Sequence, residues 1–176
     1  MELTTANDLK DYSVQELRDM FQDFEIENEE FVPMYFRGVK TEYKISKYGN
    51  VLGKRGQKLK WTKKDNNRRP EASVSIYPNI EKLFEEEGFV YSGTWRNVTL
   101  YVHRLVALHF LPFPEHLPEE LKQDWEVMSD AGRDLIRDCL QVDHLDSNTF
   151  NPRWDNLEWV TPKENSRRAV QKKNNS

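Results

Sequence analysis

The chain contains one cysteine, Cys139, and that scarcity removes several readings at once. A single thiol cannot close an internal disulfide, and no Cys-x-x-Cys pair exists to hold a structural zinc, so a reducing cytoplasm is the expected compartment. The sequence also lacks any run of about 18 apolar residues, which excludes a membrane-spanning helix of ordinary length. Its first residues, interrupted by Asp8, Lys10 and Asp11, hold no apolar signal core. With 176 residues, 37% hydrophobic and 32% charged, the composition is that of a soluble globular protein of one ordinary domain or two small ones.

Net charge is −4, which argues mildly against a nucleic-acid partner until its distribution is followed. Residues 1–31 hold ten acidic side chains against Lys10 and Arg18. Residues 54–69 hold Lys54, Arg55, Lys58, Lys60, Lys63, Lys64, Arg68 and Arg69 against Asp65, and Arg167, Arg168, Lys172 and Lys173 form a third cluster. Runs like these are either solvated faces or a match for a phosphate backbone, where each neutralised phosphate releases counterions. The named lysines and arginines from 54 to 69, with Arg167 and Arg168, are therefore the candidate DNA contacts.

The most informative stretch is residues 142–165, VDHLDSNTFNPRWDNLEWVTPKEN. Asp143 and His144 follow the apolar Val142, and on extended backbone their side chains diverge. A loop rich in Asp, Asn, Ser and Pro separates them from a second strand-like run, Leu157-Glu158-Trp159-Val160, giving a hairpin with a long ordered loop. Thr161, Pro162 and Glu164 then mark a helix start: N-cap, first-turn proline and capping-box glutamate. If that helix packs back across the hairpin, the Asn165 amide oxygen and the Asp143 carboxylate can meet on one divalent ion. Two oxygen ligands with open positions suit Mg²⁺ rather than a closed zinc site.

This segment resembles the HNH (His-Asn-His, ββα-metal or His-Me finger) nuclease motif of phage and intron-encoded homing endonucleases. The resemblance implies Asp143 as first metal ligand, His144 as general base, Asn156 as the asparagine that supports the loop, and Asn165 as second ligand, around Mg²⁺ with Mn²⁺ as a substitute. Residues 102–110 (VHRLVALHF) resemble the helix that precedes the hairpin in such enzymes. Residues 43–52 (YKISKYGNVL) resemble the small β-rich module often fused to them. The implied function is hydrolysis of DNA phosphodiesters, by nicking or double-strand cutting, in a protein encoded by a phage or mobile element. The alternative is a non-catalytic DNA- or protein-binding factor on the same scaffold. A zinc-stabilised variant would need the cysteine pairs that are missing.

The expected architecture is α+β. An acidic helical extension occupies residues 1–30, with a helix over 7–24 capped by Ser13 and Glu16. A β-rich DNA-contacting module covers 31–101, with turns at Gly38, Gly49 and Gly93 and a helical or irregular piece at 79–88. The nuclease domain covers 102–176 and contains an insertion, 111–141, opened by Pro112, Pro114 and Pro118 and then helical over 121–140. That insertion and the acidic helix are open as protein-binding surfaces, and the oligomeric state is open. His103 and His109 read as packing or hydrogen-bonded residues, and Arg104 as a phosphate contact or a salt-bridge former. Trp154 and Trp159 read as loop and core anchors, with base stacking by Trp154 an alternative. Pro152 stands where the resembled proteins often carry a second asparagine. No helix-turn-helix follows the motif, so target recognition is expected to be short and to rest on residues 54–69.

Overall fold

The computed structural model describes residues 11–23, 25–36, 38–65, 70–76 and 98–174. Helix α1 (Val14–Phe21) begins where the sequence places its cap. The Ser13 hydroxyl accepts from the Glu16 backbone N–H at 3.2 Å, and the Glu16 carboxylate accepts from the Ser13 N–H at 2.7 Å. This helix is shorter than the 7–24 expected, and residues 1–10 and 24 lie outside the described residues. Leu17 is fully buried, and Phe21 meets the Phe150 ring at 6.3 Å. Just beyond the helix, the buried Gln22 amide donates to the Leu59 carbonyl at 2.7 Å and accepts from the Trp61 N–H at 2.9 Å. The acidic segment is thus fastened by its apolar side to the strands that follow and to the loop of the C-terminal hairpin.

Strands β1 (Phe31–Phe36), β2 (Val39–Ser46) and β3 (Val51–Leu52) form an antiparallel sheet in that order. Its β1–β2 register shifts between Pro33 and Tyr35, a place where a residue without an N–H is tolerated. Val39, Tyr43 and Ile45 of β2 are buried. The chain turns between β2 and β3 at Gly49, whose φ of +87° suits glycine. A second antiparallel sheet comprises β4 (Thr62–Asp65), β5 (Pro70–Ile76) and β6 (Val98–Tyr101), with β5 central. Ala72, Val74 and Ile76 alternate inward along β5. The piece anticipated at 79–88 and the turn at Gly93 fall outside the described residues.

Strand β6 runs directly into α2 (Val102–Phe110), whose Val102, Leu105, Val106 and Ala107 are buried. No side chain caps this helix at Tyr101, so its position rests on packing. The insertion holds two helices, α3 (Glu119–Trp125) and α4 (Asp130–Cys139), rather than one helix over 121–140. Ser129 causes the break: its backbone is extended, and its hydroxyl accepts from the Gly132 N–H at 3.2 Å, starting a new helix. Arg133 then reaches back to the Trp125 and Glu126 carbonyls. Trp125 packs edge-on against Phe113, which lies 5.3 Å from the Trp159 ring.

The C-terminal unit is the antiparallel pair β7 (Gln141–His144) and β8 (Leu157–Val160), followed by α5 (Pro162–Asn174). A single core cluster extends from Leu17 to Trp159. No helix among the described residues is long and apolar enough to cross a membrane. Because Leu17 belongs to this shared core, Leu17→Ala is expected to lower unfolding free energy by about 2–5 kcal/mol, measured by denaturant titration. An acidic helix held only by charge would leave that value unchanged.

Candidate active site

The register of β7 and β8 sorts the candidate residues onto two faces. Asp143 pairs with Glu158, and His144 with Leu157. Since side chains alternate along a strand, Gln141, Asp143 and Glu158 share the face that α5 covers, while Val142, His144, Leu157 and Trp159 share the face toward α2. The contacts agree. Asn165 Nδ2 donates to Gln141 Oε1 at 2.6 Å, and one turn further along α5, Arg168 Nη1 reaches Glu158 at 2.7 Å and Asp143 at 3.4 Å. Asp143 and Asn165 thus come to the same face, with the guanidinium of Arg168 set against the carboxylate.

Two carboxylates directly across a strand pair repel, and the cation between them offsets that repulsion. Arg168 also donates to Glu164 at 2.8 Å, and Arg167 makes two further bonds to Glu164. These two arginines hold the Glu164 carboxyl down at a pKa of about 2. Thr161 caps α5 as the sequence indicates, its hydroxyl accepting from the Glu164 N–H at 3.3 Å, while the Glu164 carboxylate faces the arginines. Both arginines counted among the DNA contacts are therefore engaged with acidic groups of their own hairpin and helix.

The loop between the strands is organised around Asp146. Its Oδ1 accepts from the Asn148 N–H at 2.8 Å and from Asn156 Nδ2 at 2.9 Å, and its Oδ2 accepts from Asn151 Nδ2 at 2.8 Å. Asn156, buried in a short 3₁₀ turn (Trp154–Asn156), also accepts from the Asp146 N–H and donates to the Asn151 carbonyl. This asparagine therefore uses both ends of its amide to close the loop directly before β8. Asp146 was not among the expected site residues; its bond from the Asn148 N–H is an Asx turn, a conformation that Asp favours in loops.

His144 is 4% exposed, and its ring stands edge-on to His103 of α2 with centroids 4.9 Å apart. Its backbone N–H donates to the Asp143 carboxylate at 2.9 Å. His103, expected to be a packing or hydrogen-bonded residue, packs against the candidate base. Burial, with His144 and Arg104 adding to it, holds His103 well below the usual histidine pKa, so it is neutral at pH 7. Arg104 forms no ion pair among the described residues: Nη1 donates to the Leu140 carbonyl, and the guanidinium lies 5.6 Å over Trp159. His109 is hydrogen-bonded, accepting from the Tyr35 N–H at Nε2, which puts its own proton on Nδ1, 2.7 Å from the Leu105 carbonyl.

In the basic stretch, Lys54 pairs with Glu42 and Lys58 lies 3.8 Å from Glu29, while Arg55 and Lys60 are exposed. Lys63 and Lys64 lie on β4, and Arg68 and Arg69 fall outside the described residues. Among the described residues no group of three or more His, Cys, Asp or Glu is arranged to hold a metal. The Asp143 carboxylate and the Asn165 amide carry oxygens of the kind a hard divalent cation takes, and the Arg168 guanidinium already places positive charge against Asp143.

The segment is a short antiparallel hairpin with an asparagine-closed loop, followed by a helix that contacts it through Asn165 and Arg168. Residues 100–167 match the model of a family described as HNH endonuclease. A solved structure entitled "DNA binding and cleavage by the HNH homing endonuclease I-HmuI" matches at 25% identity with a TM-score of 0.49, over 81% of this chain and 59% of that one. This chain therefore spans less than two thirds of that neighbour. No curated protein matches in sequence.

Burial lowers the pKa of His103, and of His109 despite the Leu105 carbonyl raising it, so below about pH 6.5 the unfolded chain binds protons that the native protein does not. Stability should therefore fall as pH drops through 6.5, and His103→Gln should reduce that slope by at most about 1.4 kcal/mol per pH unit; denaturation midpoints between pH 5 and 8, on the order of the range where histidine titrates, read this out. Asn156→Ala removes the amide that closes the loop and should cost about 1–3 kcal/mol, with amide exchange accelerating at the Asp146 and Leu157 N–H groups.

Proposed function

We propose that the chain is a metal-dependent HNH DNA endonuclease, phage or mobile-element encoded and acting in the host cytoplasm, which hydrolyses phosphodiester bonds by nicking or double-strand cutting. The observation that carries this reading is the placement of Asp143 and Asn165 on one face of the hairpin, beside His144 at the strand end, within the segment that matches the HNH family. Asp143 and Asn165 are the residues that would hold Mg²⁺, or Mn²⁺ in its place. Bound there, the ion supplies Lewis-acid stabilisation of charge on the phosphate oxygens.

The remaining chemistry belongs to the chain. In its neutral form the His144 imidazole accepts the proton of the attacking water, the general-base role that histidine most often fills. His103 at its flank excludes solvent from one side of the ring. Asn156 fixes the loop that leads from His144 to β8, so base and hairpin keep one geometry. The Arg168 guanidinium balances Asp143 and Glu158 and must share or yield that position when a cation enters.

A second reading, a DNA- or protein-binding factor without turnover, is favoured by one observation: His144 is 4% exposed, so water reaches its ring only after a local opening. Supercoiled plasmid incubated with Mg²⁺, Mn²⁺ or EDTA separates the two. The nuclease reading expects open-circle or linear product with either metal, none with EDTA, and a loss of about 10²–10⁴-fold in His144→Ala. Salt-sensitive DNA binding without cleavage under any metal would establish the accessory-factor reading instead.

A further inference from the structure

The β2–β3 turn and the hairpin loop meet at a junction outside the candidate active site, and its surface chemistry is unlike that of the basic stretch. The Trp154 N–H donates to the Lys47 carbonyl at 2.9 Å. Beneath it, Gly49 is so closely covered that an added Cβ would lie 2.7 Å from both Pro152 Cγ and Val102 Cγ1, and the Trp61 indole N–H donates to the Gly49 carbonyl at 3.1 Å. Pro152 is thus the packing partner of the turn. On this fixed base the Arg153 guanidinium lies 5.2 Å over the Tyr48 ring, and the Lys47 ammonium lies 5.5 Å from the same ring. Lys47, Arg153 and Trp154 are all exposed.

We infer that Lys47, Arg153 and Trp154, mounted on Tyr48, form a contact surface for duplex DNA, with the two cations on backbone phosphates and the indole against a sugar or base edge. Three observations favour this over a solvated face. The first is that the cations converge on one aromatic ring from two segments remote in sequence, which holds them at a set separation. The second is their charge balance. Among the described residues no ion pair holds Lys47, whereas Lys54 is held by Glu42; Arg153 is bonded to Asp155 through Nε and Nη2, as Arg167 is to Glu164, and keeps the donors of Nη1. The third is the loop itself. Arg153 and Trp154 directly precede Asp155 and Asn156, so a duplex gripped here is positioned by the same rigid loop that ends at the candidate nuclease strand. An exposed indole beside phosphate-binding cations is the combination that grips nucleic acid without reading its sequence.

The inference rests on the DNA-endonuclease reading, and the test separates their failures. Fluorescence anisotropy of a labelled duplex, measured in EDTA over a salt series, compares the wild-type chain with Lys47→Ala/Arg153→Ala, Trp154→Ala, the conservative pair Lys47→Arg/Arg153→Lys, and Lys54→Ala as control. Losing both cations should reduce the slope of log K against log salt by about 2, at roughly 0.9 per phosphate contact. Trp154→Ala should weaken binding about 5- to 100-fold with the slope unchanged, and the conservative pair should keep the wild-type slope whether or not the alanine double variant folds. Wild-type binding with unchanged slope and affinity in the alanine variants, or a slope lost equally in the conservative pair, overturns this surface alone. Failure of the wild-type chain to bind DNA at any salt overturns both readings.

Discussion

The constraint on which the rest depends is the two-residue period of a very short hairpin. Four paired residues on each strand cannot make a core of their own, so both faces of β7–β8 have to be covered by something else. Toward α2 the covering is apolar: Trp159 is buried beneath Phe113, with its indole N–H donated to the Leu111 carbonyl at 3.0 Å. Toward α5 it is polar, a row of amide and ion-pair contacts from Asn165 and Arg168. Adjacent residues Asp143 and His144 inherit opposite environments from this alternation alone. A one-residue slip would exchange them and put a carboxylate into the face lined by Leu157 and Trp159, so the aromatic packing that fixes register also fixes the chemistry.

Holding that register requires the loop to be as ordered as the strands. Within the loop, side-chain oxygens take the place of backbone partners: Asp146 gathers three donors, and Asn156 uses both ends of its amide. Its far side is fastened by close packing of Pro152 on Gly49 and by Phe150 between Phe21 and Trp61. The acidic N-terminal helix, the first sheet and the C-terminal hairpin therefore meet at one loop. The proline that departs from the pattern of the resembled proteins supplies one of these contacts, as an apolar surface that an asparagine would not offer.

What was legible in the sequence is what local chemistry writes. Ser13 with Glu16, Thr161 before Pro162, and the glycine at 49 each announce a helix start or turn through groups a few residues apart, and each is present. The break in the insertion was equally local and could have been found, since Ser129 before Asp130 is an N-cap signal inside an otherwise helical stretch. The contact between His103 and His144 was not legible, because it joins residues 41 positions apart (144 − 103) through the packing of α2 on the hairpin, and neither neighbourhood hints at the other. The junction of Lys47 with Arg153 was hidden for the same reason.

Charge shows the limit of reading composition most clearly. Counted along the chain, residues 54–69 and the end of α5 are the basic regions. In the fold, acidic groups from elsewhere reach several of them: Glu42 meets Lys54, Glu29 lies near Lys58, and Glu158, Glu164 and Asp143 surround Arg168. An ion pair at the surface contributes about 0–1 kcal/mol to stability, but it also occupies a cation that a phosphate would otherwise meet, so a partner has to compete for it. The electrostatic footprint offered to a polyanion is set by cations left over after internal pairing rather than by their density in the sequence. Lys47, which no ion pair holds among the described residues, and Arg153, which keeps guanidinium donors beyond its bonds to Asp155, therefore enter that footprint although neither stands in a basic run.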